Sequence, residues 1–486
     1  MESTIVVTNV FSYILGTVPF EIFDACSLSS VEFYKDRYKK TRARERKRCY
    51  FNRSNSSFPT GWLFSKIIPL FKQLGISYTI VDKRDSIIPT TTLLGKFPFA
   101  PRNYQLEAVA EVTTNAKHRG IISIGTGGGK SFIAAKIIEY FGNSTLYIVP
   151  SLLLLHQTYD NFVEWFGKEN IGIVGEGEFS PSLVTIATEQ TIWARIEQQD
   201  TKDLLNNVKI LVLDEAHKIQ TSSSKKNALG NTWYRVAMLT PNARVRIGMT
   251  ATPGKDSSYG RHLLEAATGR IIYEKSLSWL MENNFLSKLV VEIYKIPIKT
   301  SYKTWEESYS ENILKNEHRN RLIVNIATRL DTMGYRTLII VNRIEDHGKV
   351  LMKMLKDRAE SLYGENSSAE RQEVLARFKS KKTRIIVSTI IKEGIDLPDM
   401  DAIILASGGK GGEFGKDLLQ KLGRVVRKTE EKDRALLFDF FDDDGYTYYV
   451  DSSGKDKKSP NILFRHSLQR LRVYKREKEF EIKFNE

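Results

Sequence analysis

The sequence predicts an α/β protein with two tandem parallel-sheet lobes, a small N-terminal α+β domain and a C-terminal helical extension. Three observations lead there. From about residue 96, short and almost continuously apolar runs alternate with helical patterns, as parallel strands buried on both faces do. That rhythm occurs twice, interrupted by a more polar and less regular stretch near 275–320. The first 95 residues lack it and carry a dense basic segment instead.

Taken in order, the opening MESTIVVTNVFSYILGTVPF has Glu2 and no basic residue ahead of its apolar run. It therefore reads as a buried strand followed by a short apolar segment rather than as a secretory leader. The segment Tyr34 to Arg53 holds four Lys and six Arg against Asp36 and Glu45. Interleaved Tyr34, Tyr38, Tyr50 and Phe51 suit phosphate contact with stacking, the plainer alternative being a solvated charged helix. Phe58 to Gly75 reads as a turn and an amphipathic helix, and Ser77 to Asp82 as a strand.

The first lobe is expected to contain strands at Ile121 to Ile124, Thr145 to Pro150, Val184 to Thr188, Lys209 to Asp214 and Arg244 to Thr250. The second repeats the pattern at Arg336 to Asn342, Ser361 to Gly364, Arg384 to Thr389, Ala402 to Ser407 and Ala435 to Phe440. Within it, Ser367 and Glu370 have capping-box spacing, and Val374, Leu375 and Phe378 share one helical face. YTYYVDSSGKDKK (Tyr446 to Lys458) alternates enough for a hairpin, and His466 to Lys483 looks like a basic helix. Arg470, Arg472, Lys475 and Arg476 of that helix either meet DNA or ride on a helix that packs back through Leu471 and Tyr474. The predicted division is 1–95, 96–285, 286–445 and 446–486.

Composition limits what such a chain does. A 486-residue chain has room for roughly three domains. A formal charge of +15 favours a polyanionic partner. Cys26 and Cys49 are too few for a disulfide framework or a zinc site, which suits a reducing, cytoplasmic compartment. No apolar run approaches the roughly 18 residues of a membrane span.

The motifs carry more specific chemistry. After the strand Ile121 to Ile124 comes GTGGGKS, in which Gly125, Thr126, Gly127, Gly128 and Gly129 let consecutive backbone N–H groups converge on phosphate. Lys130 is suited to neutralise the β and γ phosphates, and the Ser131 hydroxyl to ligate Mg²⁺. Ile124 occupies the position where the strict phosphate-loop pattern has its first glycine. The tetrad DEAH follows an apolar strand, so Asp214 emerges at a strand's carboxyl end and suits Mg²⁺, with Glu215 activating water. His217 either senses the γ-phosphate or is a satisfied structural histidine. In RNYQ, Arg102 opens a helix and the Gln105 amide can pair with adenine's edge.

The ordered set RNYQ, GTGGGKS, VLDEAH, GMTATP, VSTIIKEGIDLP and QKLGRVVR, spanning about 102 to 427, resembles the superfamily 2 helicases and translocases of the DExH-box type. The resemblance implies two RecA-like lobes using ATP and Mg²⁺. It assigns Arg424 and Arg427 as arginine fingers with Gln420 nearby, Thr250 and Thr252 to coupling, and Gly394 and Asp396 to nucleotide and DNA. Ser151, Thr188, Thr191 and Thr389 match loops that hold DNA phosphates. Flanking segments, among them FPTGWLFSKIIPLFKQLGISYTIVD and LFDFFDDDG, are similar to the phage branch-migration helicases of the UvsW type, including those of T5-like phages. The implied activity is ATP-dependent unwinding or remodelling of branched DNA, forks and Holliday junctions, by a monomer in the host cytoplasm. The N-terminal domain would grip duplex or single-stranded DNA through Arg42, Arg44, Arg46, Lys47 and Arg48. A translocase subunit of a restriction or repair complex, an RNA helicase and a non-catalytic clamp are the alternatives.

Overall fold

The computed structural model describes residues 2–35, 41–115, 117–220, 232–254, 258–298, 304–363, 366–389, 400–409, 425–426, 434–443, 447–450, 456–459 and 461–485. The chain divides into two compact units, Met1–Ile124 with Gly129–Lys275, and Gly125–Gly128 with Ser276–Glu486.

The first unit opens with a four-stranded sheet in the order Ser57–Pro59, Phe11–Gly16, Glu2–Val7, Ser77–Asp82. Glu2–Val7 pairs antiparallel with Phe11–Gly16 and parallel with Ser77–Asp82. The opening is thus two strands and not one, because period-two alternation continues past Thr8. Ser12 and Ile14 are buried while Phe11 and Leu15 face out.

The basic segment is a strand as well. Thr41–Cys49 pairs antiparallel with Ser27–Lys35, from Ser27 opposite Cys49 to Lys35 opposite Thr41. In T-R-A-R-E-R-K-R-C the arginines fall on alternate residues, so the extended chain carries Arg42, Arg44 and Arg48 on one face of the ribbon. The turn expected at Phe58 is a short strand followed by a 3₁₀ turn, and the helix behind it starts as a π-turn before Ile68–Gln73.

This N-terminal sheet and the first lobe share one hydrophobic cluster, running from Ile5, Ile14, Trp62 and Phe71 to Ile121, Leu211, Val236 and Leu264. The seam is tight. Trp62 Nε1 donates to His262 O at 2.9 Å, Tyr50 and Tyr259 share a hydroxyl contact of 2.7 Å, and a Cβ on Gly61 would lie 1.9 Å from Glu265 O.

The lobe itself is an eight-stranded sheet ordered Glu178–Ser180, Ile171–Gly175, Val184–Thr188, Thr145–Val149, Ile210–Leu213, Val245–Thr250, Arg119–Ile124, Ile271–Lys275. All five expected strands are present. The three unforeseen ones extend its two edges, and only Glu178–Ser180 runs antiparallel.

The second unit holds a seven-stranded parallel sheet ordered Ala359–Leu362, Ile385–Ser388, Thr337–Ile340, Ala402–Leu405, Arg434–Asp442, Lys288–Ile296, Phe480–Asn485. Two of these strands correct the sequence reading. The polar stretch 275–320 contains the nine-residue Lys288–Ile296, whose charged Lys288, Glu292 and Lys295 sit at less buried positions and dilute an otherwise buried strand. The terminal basic helix stops at Arg476, after which F-E-I-K-F alternates and pairs in parallel beside Lys288–Ile296.

The helix Ile462–Arg476 packs back on this sheet. Arg470 is buried and donates to Asp439 Oδ2 (2.8 Å), Phe440 O (2.8 Å) and Gly409 O (2.6 Å), while Tyr474 OH donates to Asp439 (2.7 Å). Such a buried charge is tolerated because it is paired with a carboxylate and its donors find acceptors. The capping box of Ser367 with Glu370 forms as expected, with Val374 and Phe378 buried. Thr447–Val450 and Asp456–Ser459 make the expected hairpin. Among the described residues no helix is long and apolar enough to cross a membrane.

Gly61→Ala is expected to lower stability by about 1–3 kcal/mol, because its methyl group must displace backbone carbonyls. Urea unfolding followed by tryptophan fluorescence measures this, and an unchanged midpoint would contradict a close-packed seam.

Candidate active site

Because the central strands of the first lobe are parallel, their carboxyl ends lie along one edge of the sheet, where open α/β sheets place ligands. Reading across the sheet order, that edge presents Thr188, then Ser151, Asp214, Thr250 and finally the glycine loop. Residues spread over 125 to 250 of the sequence are gathered by the strand order.

The glycine loop turns back on itself through Gly128 N–H to Gly125 O at 3.0 Å. Gly127 (φ 86°) and Gly129 (φ 79°) occupy left-handed backbone that L side chains rarely adopt. Gly129 N-caps the twelve-residue helix Lys130–Phe141, whose first N–H groups therefore open onto the loop. A Cβ on Gly129 would come within 2.4 Å of Gln105 Nε2. Gln105 is itself buried, and its Oε1 accepts the Arg102 N–H at 2.9 Å. It braces the start of helix Asn103–Val112 against the phosphate loop. The loop's bare backbone, the helix start and the buried Lys130 fit a polyphosphate group, since all three present donors or positive charge to one place.

Asp214 is 5 % exposed. Its Oδ1 accepts the Glu215 N–H at 2.8 Å and its Oδ2 accepts the Tyr147 hydroxyl at 2.9 Å. Burial and the neighbouring Glu215 charge push its carboxyl up to about 6, while Lys130, the Glu215 N–H and Tyr147 oppose them. Glu215 has φ 45°, a left-handed conformation uncommon outside glycine and a mark of local strain. His217 Nδ1 lies 3.3 Å from Glu215 Oε2 and 3.2 Å from Thr250 Oγ1, and that hydroxyl also accepts the Thr252 N–H at 3.1 Å. A polar chain thus joins Glu215 to Thr252 through His217 and Thr250. The Thr252 hydroxyl is buried with no hydrogen-bond partner among the described residues.

Among the described residues there is no cluster of three or more His, Cys, Asp or Glu able to hold a metal by themselves. One carboxylate, a hydroxyl and phosphate oxygens are what a Mg²⁺ ion that arrives with its nucleotide uses. Asp214 and Ser131 fit that donor set.

The expected DNA-phosphate residues divide. Ser151 caps helix Leu152–Phe166 through Leu154 N–H (3.4 Å), and Thr188 caps Glu189–Ala194 through Thr191 N–H (3.3 Å), with the Thr188 and Thr191 hydroxyls 2.8 Å apart. Thr188 and Val149 are paired across adjacent strands, so Ser151 and Thr188 begin neighbouring helices. Thr389 follows strand Ile385–Ser388 of the second unit. Arg42, Arg44 and Lys47 are exposed on the ribbon, and Arg48 lies half-buried with its guanidinium 5.0 Å from the Tyr50 ring centre. The Arg46 side chain, Gly394, Asp396, Gln420, Arg424 and Arg427 lie outside the described residues.

Sequence reasoning missed Tyr147. It stands in the wholly buried strand Thr145–Val149 and reads as one more core aromatic. The available signal was a phenol in a strand neighbouring the DEAH strand, since a buried hydroxyl needs a partner.

Residues 98–255 match the family described as Type III restriction enzyme, res subunit, and residues 317–429 match the Helicase conserved C-terminal domain. Over 412 residues the chain is 25% identical to the DNA 3'-5' translocase XPB2 of Sulfurisphaera tokodaii, covering 76% of this chain and 86% of that protein. It is 24% identical over 397 residues to the ATP-dependent DNA helicase uvsW of Enterobacteria phage T4, covering 78% and 76%. Among solved structures, S. cerevisiae Dbp5 bound to RNA and ADP BeF3 superposes with a TM-score of 0.56 at 16% identity, over 79% of this chain and 90% of that one. That likeness bears on the fold, which is one of tandem RecA-like lobes. The chain belongs to superfamily 2 of the helicases, in its DExH-box group, and is an ATP-dependent enzyme.

Gly129→Ala is expected to weaken binding of a fluorescent ADP analogue at least about fivefold, roughly 1 kcal/mol of backbone strain in the left-handed region. Unchanged affinity would show that the left-handed backbone at Gly129 is not needed for nucleotide binding.

Proposed function

We propose that this protein is an ATP-dependent DNA helicase or translocase that remodels branched DNA, including replication forks and Holliday junctions, by branch migration. The observation that carries the reading is the convergence of Lys130, Asp214 and Glu215 at the strand ends of the lobe that also bears the basic ribbon. The similarity to XPB2, a DNA translocase, and to uvsW, a DNA helicase, supports DNA over RNA as the polymer. Cytoplasmic action as a monomer belongs to the same reading.

In this mechanism the Gly125 to Gly129 backbone and Lys130 bind the triphosphate, while Arg102 and Gln105 lie on the adenine side. Mg²⁺ bound with ATP would neutralise charge on the phosphates, and Ser131 and Asp214 are the residues to hold it. Glu215 orients a water and takes its proton. His217, Thr250 and Thr252 pass the change in that carboxylate's surroundings to the loop after strand Val245–Thr250. Arg424 and Arg427, with Gln420, are assigned to the γ-phosphate by their motif, and Gly394 and Asp396 to nucleotide and DNA by theirs. Ser151, Thr188, Thr191 and Thr389 hold one strand's phosphates, and Arg42, Arg44, Arg46, Lys47 and Arg48 hold a duplex arm.

Lys130→Ala is expected to abolish DNA-stimulated ATP hydrolysis and leave DNA binding within about twofold, because a lost phosphate contact at the nucleotide does not alter distant DNA contacts. Normal turnover in that variant would remove the site assignment. Turnover with fork DNA, linear duplex, single strands and RNA then tests the substrate. Fork DNA should stimulate most, and a preference for RNA would replace this reading. Arg42→Ala with Arg44→Ala should lower the slope of log affinity against log salt for duplex by roughly 1.8, about 0.9 for each lost phosphate contact. An unaltered slope would take the ribbon out of the DNA interface.

A further inference from the structure

Tyr147 occupies the middle of strand Thr145–Val149, pairs in register with Val212 of the DEAH strand and is fully buried. Side chains two residues apart on a strand share a face, so Asp214, two beyond Val212, lies diagonally within reach of the phenol. The hydroxyl donates to Asp214 Oδ2 at 2.9 Å while the Glu215 N–H donates to Oδ1 at 2.8 Å. Each carboxylate oxygen therefore has a donor from the protein, and the plane of the group is fixed. The Tyr147 ring cannot swing away, since Phe162 packs edge-on against it with centroids 5.2 Å apart.

We propose that Tyr147 is a positioning residue for the nucleotide-bound metal, holding the Asp214 carboxylate in one orientation. The inference rests on the reading of Asp214, with Ser131, as the residues that hold Mg²⁺. Groups that orient a metal's ligands typically matter by 10- to 100-fold in metal affinity or activity, although they never touch the ion. A strand-centre phenylalanine would fill the same volume, so the hydroxyl, and not the ring, carries the role.

Tyr147→Phe tests it in the full-length protein. Binding of a fluorescent ADP analogue should stay within about twofold of wild type without divalent metal. The Mg²⁺ concentration giving half-maximal nucleotide binding, and that giving half-maximal ATP hydrolysis, should both rise about tenfold or more. A metal response identical to wild type, whatever happens to thermal stability, would leave Tyr147 as a core residue and overturn the proposal. Asp214→Asn separates the two layers. If it leaves the Mg²⁺ response of ADP binding intact, the metal-pair reading fails. If it removes that response while Tyr147→Phe does not, only the Tyr147 proposal fails. In the double variant, the metal response should equal that of Asp214→Asn alone, and a further loss would show that Tyr147 acts by another route.

Discussion

A nearly buried carboxylate at the end of an apolar strand constrains everything around Asp214. Removing such a group from water costs several kcal/mol unless donors replace the lost hydration. Here the replacements come from three directions, namely the Tyr147 hydroxyl from the neighbouring strand, the Glu215 N–H from the next peptide, and the positive field of Lys130. They do not balance the burial completely, since the carboxyl still sits above its ordinary range. Positive charge brought beside this carboxylate would offset the part of the burial that these donors leave uncompensated.

The same constraint explains the strained peptide beside it. For its N–H to reach Asp214 Oδ1, Glu215 leaves the strand in a left-handed turn at φ 45°, a conformation costing of order 1 kcal/mol or more outside glycine. That turn brings Glu215 Oε2 to 3.3 Å from His217, and the imidazole then meets Thr250 on the adjacent strand. Thr250 in turn accepts the Thr252 N–H. The turn that orients the buried carboxylate thus also sets a polar path from the DEAH strand to its neighbour, because Ile210–Leu213 and Val245–Thr250 pair in parallel register.

What the sequence disclosed and what it hid follow from the range of the forces involved. The glycine loop, the DEAH tetrad, the five central strands of the first lobe and five contiguous strands of the second are legible because their determinants are local, whether a missing Cβ, an apolar run or a cap. Lys288–Ile296 was hidden because charges at its less buried positions imitate a linker, and Phe480–Asn485 because basic residues continue past the end of a real helix. Both are strands whose identity is decided by the partner they pair with. Tyr147 was hidden for a related reason. Its partner lies 67 residues away, and only the strand order brings them together. Arg470 is the converse case, a cation that charge alone leaves open to DNA and that the structure commits to Asp439, Phe440 O and Gly409 O.

The basic ribbon gains its meaning from how it is mounted. On a helix, cations at alternate positions would point in different directions, whereas on a strand they recur on one face every two residues, about 6.4–6.8 Å apart. A two-stranded ribbon is also of a width that a duplex major groove admits. Its base is not hung on a linker. Tyr50, directly after the ribbon, meets Tyr259, Trp62 bonds to His262 O, and Gly61 sits against the carbonyl of Glu265, all on the helix Tyr259–Thr268 of the first lobe. That helix is in turn held at its last turn by Arg119 and Arg246, which donate to Thr268 O and Ala267 O. Arg119 begins the strand that leads into the glycine loop, and Arg246 lies in the strand that ends at Thr250. A duplex arm held by the ribbon would therefore be attached through packed core and buried hydrogen bonds to the strands that carry the nucleotide chemistry. A grip on a flexible tether would let the lobe move without the DNA, and continuity of this kind transmits displacement instead.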